Sequence, residues 1–148
     1  MTTTLPRVAL AVRQPWAYAI FHGKDVENRS WKHWKKDWRF RGRVAILASK
    51  GMTQDEYADG RDFMADLGVT CPPPADLVRG AIIGHVNIVD NVSKSDSPWF
   101  VGPGAFVLAD PVLLNDPIPV DGQLDIFEWK LADRSVCEPL KWMRAWTA

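Results

Sequence analysis

The densest run of chemically capable side chains is Gly23-Lys24-Asp25-Val26-Glu27-Asn28-Arg29-Ser30-Trp31. From Asp25 on it reads as a short extended piece. Side chains alternate faces along such a piece, so Asp25, Glu27, Arg29 and Trp31 share one side. Lys24 stands at the corner and can point either way. A Lys, a Glu and an Arg that meet in a cleft can bind phosphate or polarise a carbonyl; the same three can also neutralise one another as a salt bridge pinning the strand. Spacing admits both readings. Just upstream, Gln14-Pro15-Trp16 precedes a helix start, where free N–H groups favour an anion. Trp16 either stacks on a base or belongs to the core.

A second region, Trp31 to Arg43, interleaves rings with cations: Trp31, Lys32, His33, Trp34, Lys35 and Lys36, then Trp38, Arg39, Phe40, Arg41 and Arg43. Single-stranded nucleic acid is held by this combination, cations on the backbone and rings on base faces, at about 1–3 kcal/mol per stacked base. The competing reading packs Trp34, Trp38 and Phe40 inward and leaves the cations to water. Gly42, between Arg41 and Arg43, permits close backbone approach to a ligand. The net charge is zero, but residues 1–50 carry eleven Lys/Arg against three Asp/Glu, and residues 51–148 carry seven against fifteen. Such a split points to an anion-binding face on the first third, or else to charge matching within the chain. Eight tryptophans are also unusual at this length.

Other candidates carry less. His85 lies within an apolar strand and reads as a core histidine. His22 and His33 lack metal-pair spacing with any Cys or carboxylate, and Cys71 and Cys137 form no CxxC, so neither a metal nor a disulfide framework is expected. No organic cofactor is implied. Ser95-Asp96-Ser97-Pro98-Trp99-Phe100 is a loop that either lids a site or packs on a rim.

These residues must be positioned by a small set of elements. Val8 to Val12 reads as a buried strand, and a short helix over Trp16 to Phe21 ends at Gly23. Arg43 to Ser49 reads as a central strand. Thr53-Gln54-Asp55-Glu56 has the form of a capping box, opening a helix with Tyr57, Met64 and Leu67 at helical spacing and Gly68 at its end. Gly80 to Val92 is a long strand expected to place Ile82, Val86 and Ile88 on one face and Ile83 and Val89 on the other. Ala105 to Leu108 is expected to be a strand stopped by Pro111 and a turn-rich segment. Asp125 to Leu131 is a last strand, and 138–146 a terminal helix. The class is α+β, with a small barrel-like sheet.

At 148 residues, 47% hydrophobic and 24% charged, the chain suits one globular domain. No apolar run approaches the roughly 18 residues of a membrane span. The polar N-terminus does not read as a signal peptide, so a cytoplasmic protein is expected.

The chain resembles the ASCH domain family (activating signal cointegrator homology) of the PUA-like superfold. The matching residues are Arg13-Gln14-Pro15-Trp16-Ala17, Gly23 to Trp31, Arg41-Gly42-Arg43, Gly80-Ala81-Ile82-Ile83-Gly84-His85-Val86, Asp96 to Phe100, and Trp129-Lys130-Leu131. They span about residues 7–132, followed by the expected terminal helix, in a single domain of residues 1–148. In the family's G-x-K-x-x-E-x-R pattern, Lys24, Glu27 and Arg29 fill the charged positions. The glycine falls one place late, with His22 at its position and Gly23 next. The resemblance implies a small PUA-like β-barrel with flanking helices and a cleft lined by this motif.

The resemblance further implies nucleic-acid binding, with RNA the usual expectation. On that reading Lys24, Arg29, Arg41 and Arg43 contact phosphate, Trp16 and Trp31 stack on a base, and Gln14 or Glu27 reads its edge, with Ser30 in the same motif. Some ASCH-like proteins are instead hydrolases, acting on an acylated cytidine or on RNA. In that alternative Lys24 is base or nucleophile, Glu27 shuttles a proton, and no metal takes part. A third reading is a protein-interaction module that exposes Trp34, Trp38, Trp142 and Trp146.

Overall fold

The computed structural model describes residues 4–30 and 38–147. Its strands are β1 (Val8–Val12), β2 (Val26–Arg29), β3 (Gly42–Ala48), β4 (Ala81–Val92), β5 (Gly104–Pro119) and β6 (Ile126–Glu128). Among the described residues the helices are α1 (Trp16–Ile20), α2 (Gln54–Asp66) and α3 (Lys141–Arg144), with a 3₁₀ turn at Pro74–Asp76. The strands form one sheet in the order β2-β5-β4-β3-β1-β6. β1 and β3 are parallel; every other pairing is antiparallel. The sheet curls into a barrel-like half-cylinder, so the α+β class holds. None of the described helices is long and apolar enough to cross a membrane.

The concave side is filled by Leu10, Val12, Val44, Ile46, Val86, Ile88, Phe106 and Leu108, closed at one end by Ala17 and Ile20 of α1. Each of the larger apolar side chains contributes about 1.5–3 kcal/mol on burial. The other face of β1 and β3 packs Ala9, Ala45 and Leu47 against Ile82, Val120 and Phe127. Ile82 therefore does not share a face with Val86 and Ile88, as strict alternation requires. The β4–β5 register shifts between Ile82 and Gly84, and a residue added to one strand turns the following side chains over. Ile83 thus joins the concave core, and Val89 is half exposed.

β5 departs most from expectation. It runs sixteen residues through Pro111 and Pro117, where the sequence suggests a stop after Leu108. β2 covers only the stretch from Gly104 to Val107, and beyond it β5 pairs with β4 alone. A proline facing an open edge removes no ladder bond, so the strand continues.

α2 begins as the sequence predicts. Thr53 Oγ1 accepts from Glu56 N at 3.1 Å, and Glu56 Oε1 accepts from Thr53 N at 3.0 Å. Gly68 follows its C-terminus with a positive φ of 79°. Gly60 in mid-helix lets α2 lie directly on the start of α1: a Cβ there would fall 2.3 Å from Pro15 Cγ. The terminal helix is shorter than expected, four residues in place of nine. Its Met143 is buried beside Met52, Tyr57 and Leu77.

Candidate functional site

The turn between α1 and β2 is made at Gly23, whose φ of 114° L-residues rarely adopt. It delivers Lys24 inward. β2 then pairs through Val26↔Val107, Glu27↔Phe106, Asn28↔Ala105 and Arg29↔Gly104. As the terminal strand of the sheet, β2 has no backbone ladder toward β1, and the half-cylinder stays open along that seam. Glu27 and Arg29 face it.

The charged trio is an ion chain. Lys24 Nζ donates to Glu27 Oε1 at 2.5 Å and to Val26 O at 2.6 Å. Arg29 Nη1 donates to Glu27 Oε2 and to Asn28 O, and Nη2 donates to Ala11 O on β1 at 2.9 Å. Lys24 is 3% and Glu27 6% exposed. Burial pushes the Glu27 carboxyl up, but Lys24 and Arg29 on either side outweigh it and hold it below the usual carboxylate range. The salt-bridge reading of the motif is thus realised for Lys24. Glu27 and Arg29 do more, because their outer sides line an open cleft.

The cleft has a volume of about 670 Å³. Ala11 and Val12 of β1, Trp16, Glu27 and Arg29 form one side. Ser49, Glu56 and the loop from Gly122 to Asp125 complete it, with Arg13 at the rim. Trp16 is held by Phe63 of α2, edge to face at 5.5 Å between ring centres. Arg13 forms a bidentate pair with Glu56, Nε to Oε2 at 2.6 Å and Nη2 to Oε1 at 2.5 Å. The arginine hydrogen bond, opposed by partial burial, holds the Glu56 carboxyl below its ordinary range. Glu56 therefore both closes the capping box of α2 and anchors the cleft rim.

No protein-family model matches the chain, and no curated protein matches it. The site is therefore read from its geometry. Of the sequence candidates, Trp16, Glu27 and Arg29 converge on the cleft. Lys24 sits behind them, bordering a separate small pocket of about 120 Å³ with Ile20, Gly23, Asp25 and Val86. Gln14 is turned away: its Nε2 donates to Val78 O at 2.8 Å and its Oε1 accepts from Tyr18 N at 2.9 Å. It fixes α1 in place of the anion expected at that helix start, which at five residues is too short to hold one. Ser30 is exposed next to Arg29. Arg41 and Arg43 are exposed and do not line the cleft. Arg41 reaches Asp90 and Asn91, and Arg43 donates to Thr4 O. Trp31, and the cation run Lys32, His33, Trp34, Lys35 and Lys36 after it, lie outside the described residues.

Other expectations resolve as follows. The Ser97–Phe100 loop packs on the rim. Asn28 Nδ2 donates to Trp99 O at 3.0 Å, while Asn28 Oδ1 accepts from Val101 N and Gly102 N at 2.8 and 3.1 Å. Ser97 Oγ donates to Asp25 Oδ1 at 2.5 Å. His85 is buried, and burial together with Arg43 lowers its pKa. Trp142 and Trp146 pack on Tyr57. The opposed charge of the two parts of the chain is partly matched internally, through Arg13–Glu56, Arg41–Asp90 and Lys50–Asp121. Among the described residues no cluster of His, Cys, Asp or Glu is arranged to hold a metal.

The sequence reading did not assign Arg13, Ser49, Glu56 or the 122–125 loop to the site. Arg13 adjoins Gln14 and Trp16 and was within reach of motif reasoning. Glu56 lies 43 positions away and enters only because α2 packs on α1.

Proposed function

We propose that the chain is an ASCH-type, PUA-like module that binds single-stranded RNA and seats one base in the cleft between β1 and β2. The observation that carries this reading is the meeting of a ring, Trp16, with the Glu27–Arg29 pair in an open cleft of about 670 Å³. A base stacked on Trp16 presents its edge to Glu27. Arg41 and Arg43, exposed and held only by surface contacts, serve as phosphate contacts along the strand; exposed ion pairs are weak enough to exchange for a phosphate. The proposal places the protein in the cytoplasm.

Binding is favoured over hydrolysis by the position of Lys24. Its ammonium is buried between Val26 O and Glu27 and is not part of the cleft lining, so it meets no substrate there. Incubation with N4-acylated cytidine is expected to give no product.

The test is binding of short RNA oligomers at two salt concentrations. Affinity is expected to fall as salt rises, with a log–log slope of about −0.7 per phosphate contacted. Trp16→Ala is expected to weaken binding by about 1–3 kcal/mol. RNA binding that ignores both salt and Trp16 overturns the proposal.

A further inference from the structure

The reading of the cleft as a base-binding site leaves open which base it takes, and the hydrogen-bond inventory around Glu27 bears on that. An ionised carboxylate offers about four acceptor positions, two on each oxygen. Lys24 occupies one on Oε1 and Arg29 one on Oε2, which leaves one on each oxygen. Glu27, which lines the cleft, therefore retains one acceptor position on each oxygen. Arg29 spends three of its five N–H groups inside the protein: both Nη1 hydrogens go to Glu27 and Asn28 O, and one on Nη2 goes to Ala11 O. Arg13 gives two of its five to Glu56. On the inner wall Glu27 thus offers a paired acceptor edge.

The charge is nevertheless balanced: Lys24, Arg29 and Arg13 stand against the carboxylates of Glu27, Glu56 and Asp125, the last also in the cleft lining. The cleft therefore suits a neutral ligand with two adjacent donors more than a cation. Among the four bases, guanine alone presents two neighbouring donors on its Watson–Crick edge, the N1–H and the N2 amino group. Cytosine offers one amino group beside two acceptors, so it can give the carboxylate only one hydrogen bond from that edge. Adenine and uracil likewise pair each donor with adjacent acceptors.

We infer that the cleft selects guanine, with Glu27 accepting from N1–H and N2–H while the ring stacks on Trp16. This rests on the base-binding reading above. Glu27 is then a specificity-determining residue, and the buried Lys24 a positioning residue that holds it.

The experiment varies the ligand, so the fold stays intact. Oligouridylates carrying one central guanine, inosine, N1-methylguanine, adenine or cytosine are titrated into the wild-type protein, alongside free guanosine and cytidine. Guanine is expected to bind at least about tenfold more tightly than adenine or cytosine, because a hydrogen bond to a charged group is lost with each missing donor. Inosine, lacking the N2 amino group, and N1-methylguanine are each expected to lose about tenfold or more. Equal binding of all five oligomers overturns the guanine assignment and leaves RNA binding standing. Binding of free guanosine over cytidine, with no oligomer preferred to buffer, supports the assignment and overturns the RNA reading.

Discussion

Two ion pairs border one cleft and differ in almost everything except chemistry. Glu27 is buried between Lys24 and Arg29, which also donate to the backbone carbonyls of Val26, Asn28 and Ala11. Arg13–Glu56 is better formed as a bidentate fork, yet half of the Arg13 side chain is in water. Removing one partner of a buried pair leaves a desolvated charge, at a cost of about 3–5 kcal/mol. An exposed pair contributes about 0–1 kcal/mol whatever its geometry. The inner pair therefore sets the shape of the site, and the outer pair can open and close at little cost.

The most severe way to break this contrast is Lys24→Ala. It is expected to lower unfolding free energy by about 3–5 kcal/mol in urea titration; a loss under 1 kcal/mol would place the inner pair in the same class as the outer one. Next comes acid. Because Glu27 is held below its ordinary value of 4.5, its contribution is complete above that pH. It is lost as pH falls through the lower folded-state value, where the folded form must take up a proton it resists. Urea melts between pH 6 and 3 are expected to show this decline in wild type and a smaller one in Lys24→Ala. Equal declines would remove Glu27 as the cause.

Gly60→Ala sharpens the contrast from the helix side. Its Cβ would meet Pro15 Cγ at 2.3 Å and lift α2 from α1, at an expected cost of about 1–3 kcal/mol. Trp16 should move with α1, which a weakening of the proposed RNA binding would register; unchanged binding would separate ring placement from helix contact. The smallest effect is expected for Arg13→Ala, about 1 kcal/mol or less and fading in high salt. A larger, salt-independent loss would mean that the rim is as fixed as the interior.

Much of the fold was legible because its signals are local. The Thr53–Glu56 box and Gly68 bound α2 through hydrogen bonds within one turn, and β1 and β3 announce themselves as short apolar runs. The errors arose where a partner decides. Pro111 ends a strand only if its missing N–H is needed, and that depends on how far β2 reaches along β5. Ile82 changes face through a register shift that only pairing reveals. The site divides in the same way. Lys24, Glu27 and Arg29 lie within six residues and were visible as a group, but which of them faced solvent was set by the inward turn at Gly23. Gln14 looked like a ligand residue because its type allowed it; the carbonyl of Val78, 64 positions away, takes its amide instead.

The contact between Arg29 and Ala11 O has a consequence for dimensions. Had β2 met β1 through main-chain bonding, the two would stand about 4.8 Å apart, too near for any guest to slip between. Spanning that distance with a side-chain arm keeps the strands attached while holding them farther apart. The width available to a flat molecule is thus written in the length of one arginine, and a shorter residue there would change the aperture without disturbing a single rung of the sheet.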